Sequence, residues 1–389
     1  MTGPYTPPTV YPPQATLEGV PPQPAVVPPP AADGLAVIKP SVRQQAGYVL
    51  ASAPARRKLN QNESPFDFPL ELKRQIVDTI TSQPWQRYPE FSPAELRESL
   101  ARYYGWISEG ILTGNGSNEL IQATLSVTLG ADDALVAPSP SFSLYRLLTS
   151  VNGGRYVPVP LDDTFAFDVD RLVDAARRER ARVIVLNSPN NPTGSALPDG
   201  AVERILTETN ALVVCDEAYQ DFGGPTALPL LRQTSRLVVL RTFSKAFGLA
   251  GLRFGVALAH PAVAQEIAKG KLPYNVNLVT LAAASTALRH APMLAERTRQ
   301  VVETRDRFML GLRRVPGLTV YPSAANFVLF RCRSLPASDL FRRLLSDHGI
   351  LVRDLSASTD LADCLRVSIG TNEDMDAVLV ALREILCHE

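Results

Sequence analysis

The 389-residue chain has little cysteine and little histidine, four of each. Cys215, Cys332, Cys364 and Cys387 are scattered with no CxxC pair, and the histidines stand apart from one another and from the cysteines. That spacing argues against a zinc site and against a disulfide framework. Net charge is missing as well, because 39 Lys and Arg balance 39 Asp and Glu. No overall field would draw the chain to nucleic acid or to an anionic membrane. No apolar run reaches the length of a membrane span, and the N-terminus lacks the basic-then-apolar order of a signal peptide. A cytoplasmic location is expected. With 45% hydrophobic residues, the chain is long enough for a large core and a second lobe.

Proline is plentiful, above all in "MTGPYTPPTVYPPQATLEGVPPQPAVVPPP". This stretch has no periodic apolar face, so residues 1–35 are expected to be a disordered or extended tail. From about residue 70 helical and strand patterns alternate. "SPAELRESLARYY", "SNELIQATLSVTL" and "DVDRLVDAARRER" carry apolar residues at helical spacing. "RVIVLNSPNN", "ALVVCDEAY" and "RLVVLRTFSK" are short apolar runs with almost no alternation, which suits strands covered on both faces in a parallel sheet. Ligands of such sheets sit beyond the carboxyl ends of the strands. Asn191, Asp216 and the Ser244-Lys245 pair should therefore converge.

Lys245 is the residue to explain. It stands in the small, glycine-punctuated stretch "RTFSKAFGLAGLRFG", where an unpartnered ammonium would be costly. At the end of a buried strand, beside a carboxylate, a tyrosine and an asparagine, it is placed to attack a carbonyl. The group that fits is an aldehyde cofactor carrying an anion. Lys245 would supply the Schiff base and Asp216 would hold a ring nitrogen protonated, while Tyr219 and Asn191 could bond a ring oxygen. For the anion there are the hydroxyls of Thr242 and Ser244, the fork of Arg253, and the N–H groups of Ser117 and Asn118 where "GNGSNEL" opens a helix. Cys215, inside the buried strand, reads as a small apolar filler.

"NSPNNPTG", "DEAY", "SKAFGLAGLRFG" and "CLRVSIGT", in this order, resemble the signature of pyridoxal-phosphate enzymes of aminotransferase fold type I, class II branch, over about residues 36 to 389. The resemblance implies pyridoxal 5'-phosphate as cofactor and Lys245 as the lysine that binds its aldehyde. It also implies Asp216 on the pyridine nitrogen, Tyr219 and Asn191 on the phenolic oxygen, and Thr242, Ser244 and Arg253 on the phosphate. Phe142 in "APSPSFSLY" matches the aromatic residue stacked on the ring. Tyr88 in "QRYPEF" matches the tyrosine that reaches the neighbouring subunit's phosphate, so a homodimer is implied.

Within that family "NQNESPFDFP", "RYPEF", "LPYNVNLVT" and "GILVRDL…CLRVSIGT" resemble histidinol-phosphate aminotransferases. The resemblance implies Arg353 and Arg366 as a pair that clasps a substrate phosphate, with Asn326 in the same substrate set. A phosphate dianion favours two forked guanidinium donors. Where those enzymes carry an aromatic residue in an SPYxP-like stretch, this chain reads "IKPSVRQQAGY", and Tyr48 is the candidate for that role. The implied reaction moves the amino group of histidinol phosphate to 2-oxoglutarate. An aromatic or other amino-acid aminotransferase, a threonine-phosphate decarboxylase and a non-catalytic binding protein on the same fold are the alternatives. The expected architecture is α/β: an arm at 36–75 joins a smaller α+β domain at 273–389, and 76–272 form a large domain with a mostly parallel sheet flanked by helices.

Overall fold

The computed structural model describes residues 32–45 and 53–386, so most of the proline-rich tail, Tyr48 and Cys387 lie outside the described residues. Where the extended tail was expected to end, Ala32–Ala36 is instead a short helix. The five residues "ADGLA" contain no proline, so nothing local forbids it.

Strand β1 (Arg57–Lys58) is the first strand of the chain among the described residues. Seven strands then form one large sheet: β2 (Ile111–Asn115), β3 (Ala134–Ser139), β4 (Arg155–Pro160), β5 (Val183–Asn187), β6 (Leu212–Asp216), β7 (Leu237–Thr242) and β8 (Phe254–Ala259). Their spatial order is β2-β8-β7-β6-β5-β3-β4, with β8 antiparallel to both neighbours and the other adjacent pairs parallel. A smaller antiparallel sheet follows from β9 (Leu318–Val320) and β10 (Phe327–Cys332). Next, β11 (Ile350–Leu351) turns aside to pair in parallel with β1. The small sheet is completed by β12 (Arg353–Asp354) and β13 (Cys364–Ser368), in the order β12-β13-β10-β9.

The lack of alternation in the central runs has a direct cause. In β6, Val213 and Cys215 face one apolar cluster while Val214 faces another; in β7, Leu237 and Val239 are set against Val238 and Leu240 in the same way. Each fully buried Val, Leu or Ile contributes about 1.5–3 kcal/mol, so these strands form the rigid base from which their polar ends project. Helices cover both faces. Val169–Arg178 begins at Asp168, whose carboxylate accepts the Arg171 N–H at 3.0 Å. Ser117–Thr128 begins after Gly116, at φ 80°.

A third cluster fills the smaller domain and reaches across to the large one, since it contains Tyr219 and Phe222 beside Phe327, Leu59 and Ile350. The segment after β6 therefore belongs to the large sheet by connection and to the small core by packing. Among the described residues no helix is long and apolar enough to cross a membrane.

Candidate active site

The carboxyl ends of β5, β6 and β7 lie side by side, with Asn187 opposite Asp216 and Asp216 opposite Leu240. Behind them Arg241 ties the strand ends together. Its guanidinium pairs with Glu217 at 2.7 Å and donates to Gln220 at 2.7 Å and Thr226 at 3.0 Å, with both charged side chains buried. Removing one member of such a pair costs about 3–5 kcal/mol, so the position of Asp216, next to Glu217, is strongly fixed.

A cluster of hydrogen-bond donors lies at the edge nearest β8. Thr242 Oγ1 donates to Ser244 Oγ at 3.0 Å, and Arg253 Nη1 donates to the same Ser244 oxygen at 3.0 Å. Arg253 itself is left-handed, at φ 54°. A Cβ at Gly116 would come within 2.4 Å of Arg253 Nη2, and one at Gly255 within 2.3 Å of the Ser117 backbone nitrogen. Both positions must stay bare for the guanidinium, the two hydroxyls and the first amides of the helix at Ser117 and Asn118 to share one space. Ser117 is buried and Asn118 exposed. This donor set, with a helix N-terminus, suits a small dianion.

Lys245 is half-buried, and its Nζ donates to the backbone carbonyl of Gln61 at 2.9 Å. Burial of the ammonium, then the Arg366 and Arg253 cations, lowers its pKa to about 7, while Glu63 opposes them. At neutral pH much of it is a free amine, able to attack a carbonyl.

Asp216 is buried, and burial raises its pKa. The Tyr145 hydroxyl, donating at 2.6 Å, and the Ala218 N–H at 3.2 Å partly offset that. These neutral donors leave a carboxylate that would gain further from a protonated ring nitrogen. Phe142 is half-buried and meets the Tyr145 ring edge-on at 5.7 Å. Tyr219 packs edge-on against Phe327 at 5.2 Å, and Lys245 Nζ lies 5.7 Å from the centre of its ring.

The arm runs through the same space. Arg366 Nη2 donates to the carbonyl of Asn60 at 3.0 Å, Lys245 to that of Gln61, and Asn326 Nδ2 to that of Asn62 at 3.0 Å. Arg366 also donates to Asn191 Oδ1, and its guanidinium lies 5.1 Å from the centre of the Phe327 ring. Arg353 is half-buried and stands directly opposite Arg366 across the β12–β13 ladder. Opposed residues of an antiparallel pair share a face, with Cβ atoms about 4.5–5.5 Å apart. The two arginines are therefore neighbours.

Tyr88 is not part of this cluster of side chains. It is 80% exposed and stacks on Tyr274 at 4.6 Å, with Phe91 edge-on to the same ring and Trp85 also exposed nearby in sequence. Tyr145, Asn60, Gln61 and Asn62 were not anticipated as part of the site. Tyr145 follows Phe142 by three residues at the entry of a helix, a spacing that could have flagged it. "NQN" lies in a stretch that carries the family resemblance, but its partners are far away in sequence and no spacing shows them. Among the described residues no group of His, Cys, Asp and Glu could hold a metal ion, and Cys215, Cys332 and Cys364 are free and buried.

Comparison with known proteins adds four findings. The chain is 37% identical to the histidinol-phosphate aminotransferase of Chlorobaculum tepidum over 332 residues, 85% of this chain and 94% of that one. It is 38% identical to that of Chlorobium phaeovibrioides over 355 residues, 91% and 98% of the respective chains. The crystal structure of histidinol-phosphate aminotransferase from Sinorhizobium meliloti in complex with pyridoxal-5'-phosphate superposes with a TM-score of 0.81 at 28% identity, covering 90% of this chain and 98% of that one. The family model for aminotransferase class I and II matches residues 57–382. With its large mixed sheet, smaller sheet domain and fold type I architecture, the chain belongs to the class I and II aminotransferases.

Proposed function

We propose that this aminotransferase uses pyridoxal 5'-phosphate to move the amino group of histidinol phosphate to 2-oxoglutarate. The observation that carries the substrate is the register of Arg353 opposite Arg366, two forked cations on one face, of which Arg366 acts on the Lys245 amine. A phosphate dianion would satisfy both; an amino-acid carboxylate needs one.

The residues fit the cofactor. Thr242, Ser244, Arg253 and the amides of Ser117 and Asn118 would hold its phosphate, with Gly116 and Gly255 leaving the room. Asp216 would hold the proton on its ring nitrogen, Tyr219 and Asn191 would bond its phenolic oxygen, and Phe142 would lie against the ring. Bound there, pyridoxal phosphate supplies an aldehyde for amines and a ring that takes up the electrons freed at the substrate carbon. Lys245 Nζ would be the amine that holds the aldehyde and the base that takes a proton from the substrate carbon. Asn326 and Tyr48 complete the proposed substrate set, Tyr48 from outside the described residues. The cleft between a large domain at 76–272 and a smaller one at 273–389 with its arm would close on the substrate.

Arg353→Ala tests the substrate. A charge-assisted hydrogen bond contributes about 1.5–3 kcal/mol, so the KM for histidinol phosphate should rise roughly tenfold to more than a hundredfold. Glutamate, leaning mainly on Arg366, should be affected less. Equal losses for both donors, or no conversion of the cofactor to its amine form by histidinol phosphate, would leave an amino-acid aminotransferase with Arg366 alone as the anchor.

The enzyme is further proposed to be a homodimer in which Tyr88 serves the partner's site. The exposed aromatic group of Trp85, Tyr88, Phe91 and Tyr274 supports this reading, being apolar surface a second copy would cover. Mixing inactive Lys245→Ala protein with weakened Tyr88→Phe protein should restore activity in heterodimers, one of whose sites has both native groups. An active monomer at assay concentration would refute the shared site.

A further inference from the structure

Asn62 is the most constrained residue of the arm. It is 1% exposed and left-handed, at φ 55°, a conformation asparagine tolerates better than most residues. All of its polar groups are engaged. Its backbone N–H donates to Ser368 Oγ at 2.7 Å, and its carbonyl accepts from Asn326 Nδ2 at 3.0 Å. Ser368 Oγ in turn donates to Asn62 Oδ1 at 3.2 Å, and Asn62 Nδ2 donates to the Tyr219 hydroxyl at 3.0 Å.

The hydrogen bonds of this small network set the direction of the Tyr219 hydroxyl. Ser368 has a single hydroxyl proton, and its oxygen already receives the Asn62 N–H. That proton is given to Oδ1, and the amide stands with its nitrogen toward Tyr219. An amide nitrogen can only donate. The Tyr219 oxygen thus accepts from Asn62, and its own proton must be donated in another direction.

We propose that Asn62 is a positioning residue which, held by Ser368, aims the Tyr219 hydroxyl as a donor toward the ring oxygen of the cofactor. The inference rests on the proposed role of Tyr219 and deepens it. It also gives the arm a part in the chemistry: "NQN" joins the Ser368 end of β13 to the segment after β6, so the aim of Tyr219 depends on the smaller domain.

The test is spectroscopic. A hydroxyl that donates to the ring oxygen favours its anionic form, so losing that aim should raise the pH at which the visible band of the bound cofactor changes. Asn62→Gly keeps the left-handed backbone at little cost and removes the amide. It should raise the midpoint by about half to one pH unit, and in a Tyr219→Phe background it should add nothing. A lower melting temperature with an unmoved midpoint would mean a merely structural role and would overturn the inference, as would equal shifts in both backgrounds. If Asn62→Gly fails to fold, Ser368→Ala, which frees the amide to turn, should shift the midpoint in the same direction, and no shift there overturns it. If the wild type shows no visible band with pyridoxal phosphate, or if Tyr219→Phe leaves the midpoint where it was, the functional reading itself fails and takes this inference with it.

Discussion

Lys245→Ala is expected to abolish turnover while leaving much of the affinity for the cofactor phosphate in place. A general base alone accounts for about 10²–10⁴ in rate, and in the proposed mechanism the same amine is also the nucleophile, so activity should fall below detection. The proposed anion cup makes no use of Lys245: Thr242 and Arg253 both bond Ser244, and Gly116 and Gly255 keep the space open beside the Ser117 amide. Equilibrium dialysis with pyridoxal phosphate should therefore still detect binding. A pH signature accompanies the loss. Burial holds Lys245 at about 7 in the folded chain, against 10.5 for a free lysine. Between those values the unfolded chain binds more protons, so this residue makes the cofactor-free protein more stable as pH rises from about 7 to about 10.5; the contribution is lost as pH falls back through the folded value. The difference in melting temperature between wild type and Lys245→Ala should change across that window and be flat below it. Near-normal transamination by the variant would remove Lys245 from the mechanism, and a pH-independent difference would mean that its amine is not held near neutrality.

How far the site could be read before the fold was known depended on the sequence distance of each contact. Val183–Asn187, Leu212–Asp216 and Leu237–Thr242 are strands because of local runs of apolar residues, and their burial on both faces shows in the absence of alternation. The placement of Asp216 and Lys245 at and just beyond the ends of neighbouring strands follows from the rule that ligands sit beyond parallel strand ends. The helix start at Ser117 is likewise local, marked by Gly116 and Ser117 themselves. The antiparallel course of β8 was not legible, because "FGVALA" is apolar in either direction and only its pairing with β2 and β7 decides. Arg353 and Arg366 could be paired by resemblance, but their opposition depends on a register that spacing alone does not set. Asn62 and Tyr219 are 157 positions apart. Such a contact is invisible to periodicity, and a buried left-handed asparagine in "NQNES" looks like an ordinary turn residue. Tyr145 lies between these cases: its spacing from Phe142 is local, but its bond to Asp216 spans two strands of the sheet.

Asp216→Ala should be nearly as damaging as loss of the lysine, by a different route. In the cofactor-free chain this carboxylate is buried, its pKa raised by desolvation and partly restored by the Tyr145 hydroxyl and the Ala218 N–H. Neutral donors of this kind steady a carboxylate without neutralising it, so a protonated ring nitrogen would complete the site. Taking the carboxylate away leaves that cation buried without its partner, at a cost of about 3–5 kcal/mol, or roughly a hundredfold to several thousandfold in cofactor affinity. Turnover should fall further, because a ring that loses its proton is a weaker acceptor for the electrons freed at the substrate carbon. Asp216→Asn separates charge from packing. It keeps an oxygen to accept from Tyr145 and nearly the same volume, so the apoprotein should melt close to wild type, while cofactor affinity and turnover should still drop. Spectral titration with pyridoxal phosphate measures the first loss, and steady-state transamination at saturating cofactor the second. If Asp216→Asn bound cofactor and turned over as well as wild type, the carboxylate would be holding Tyr145 in place rather than a ring nitrogen, and the site at the end of β6 would need a different occupant.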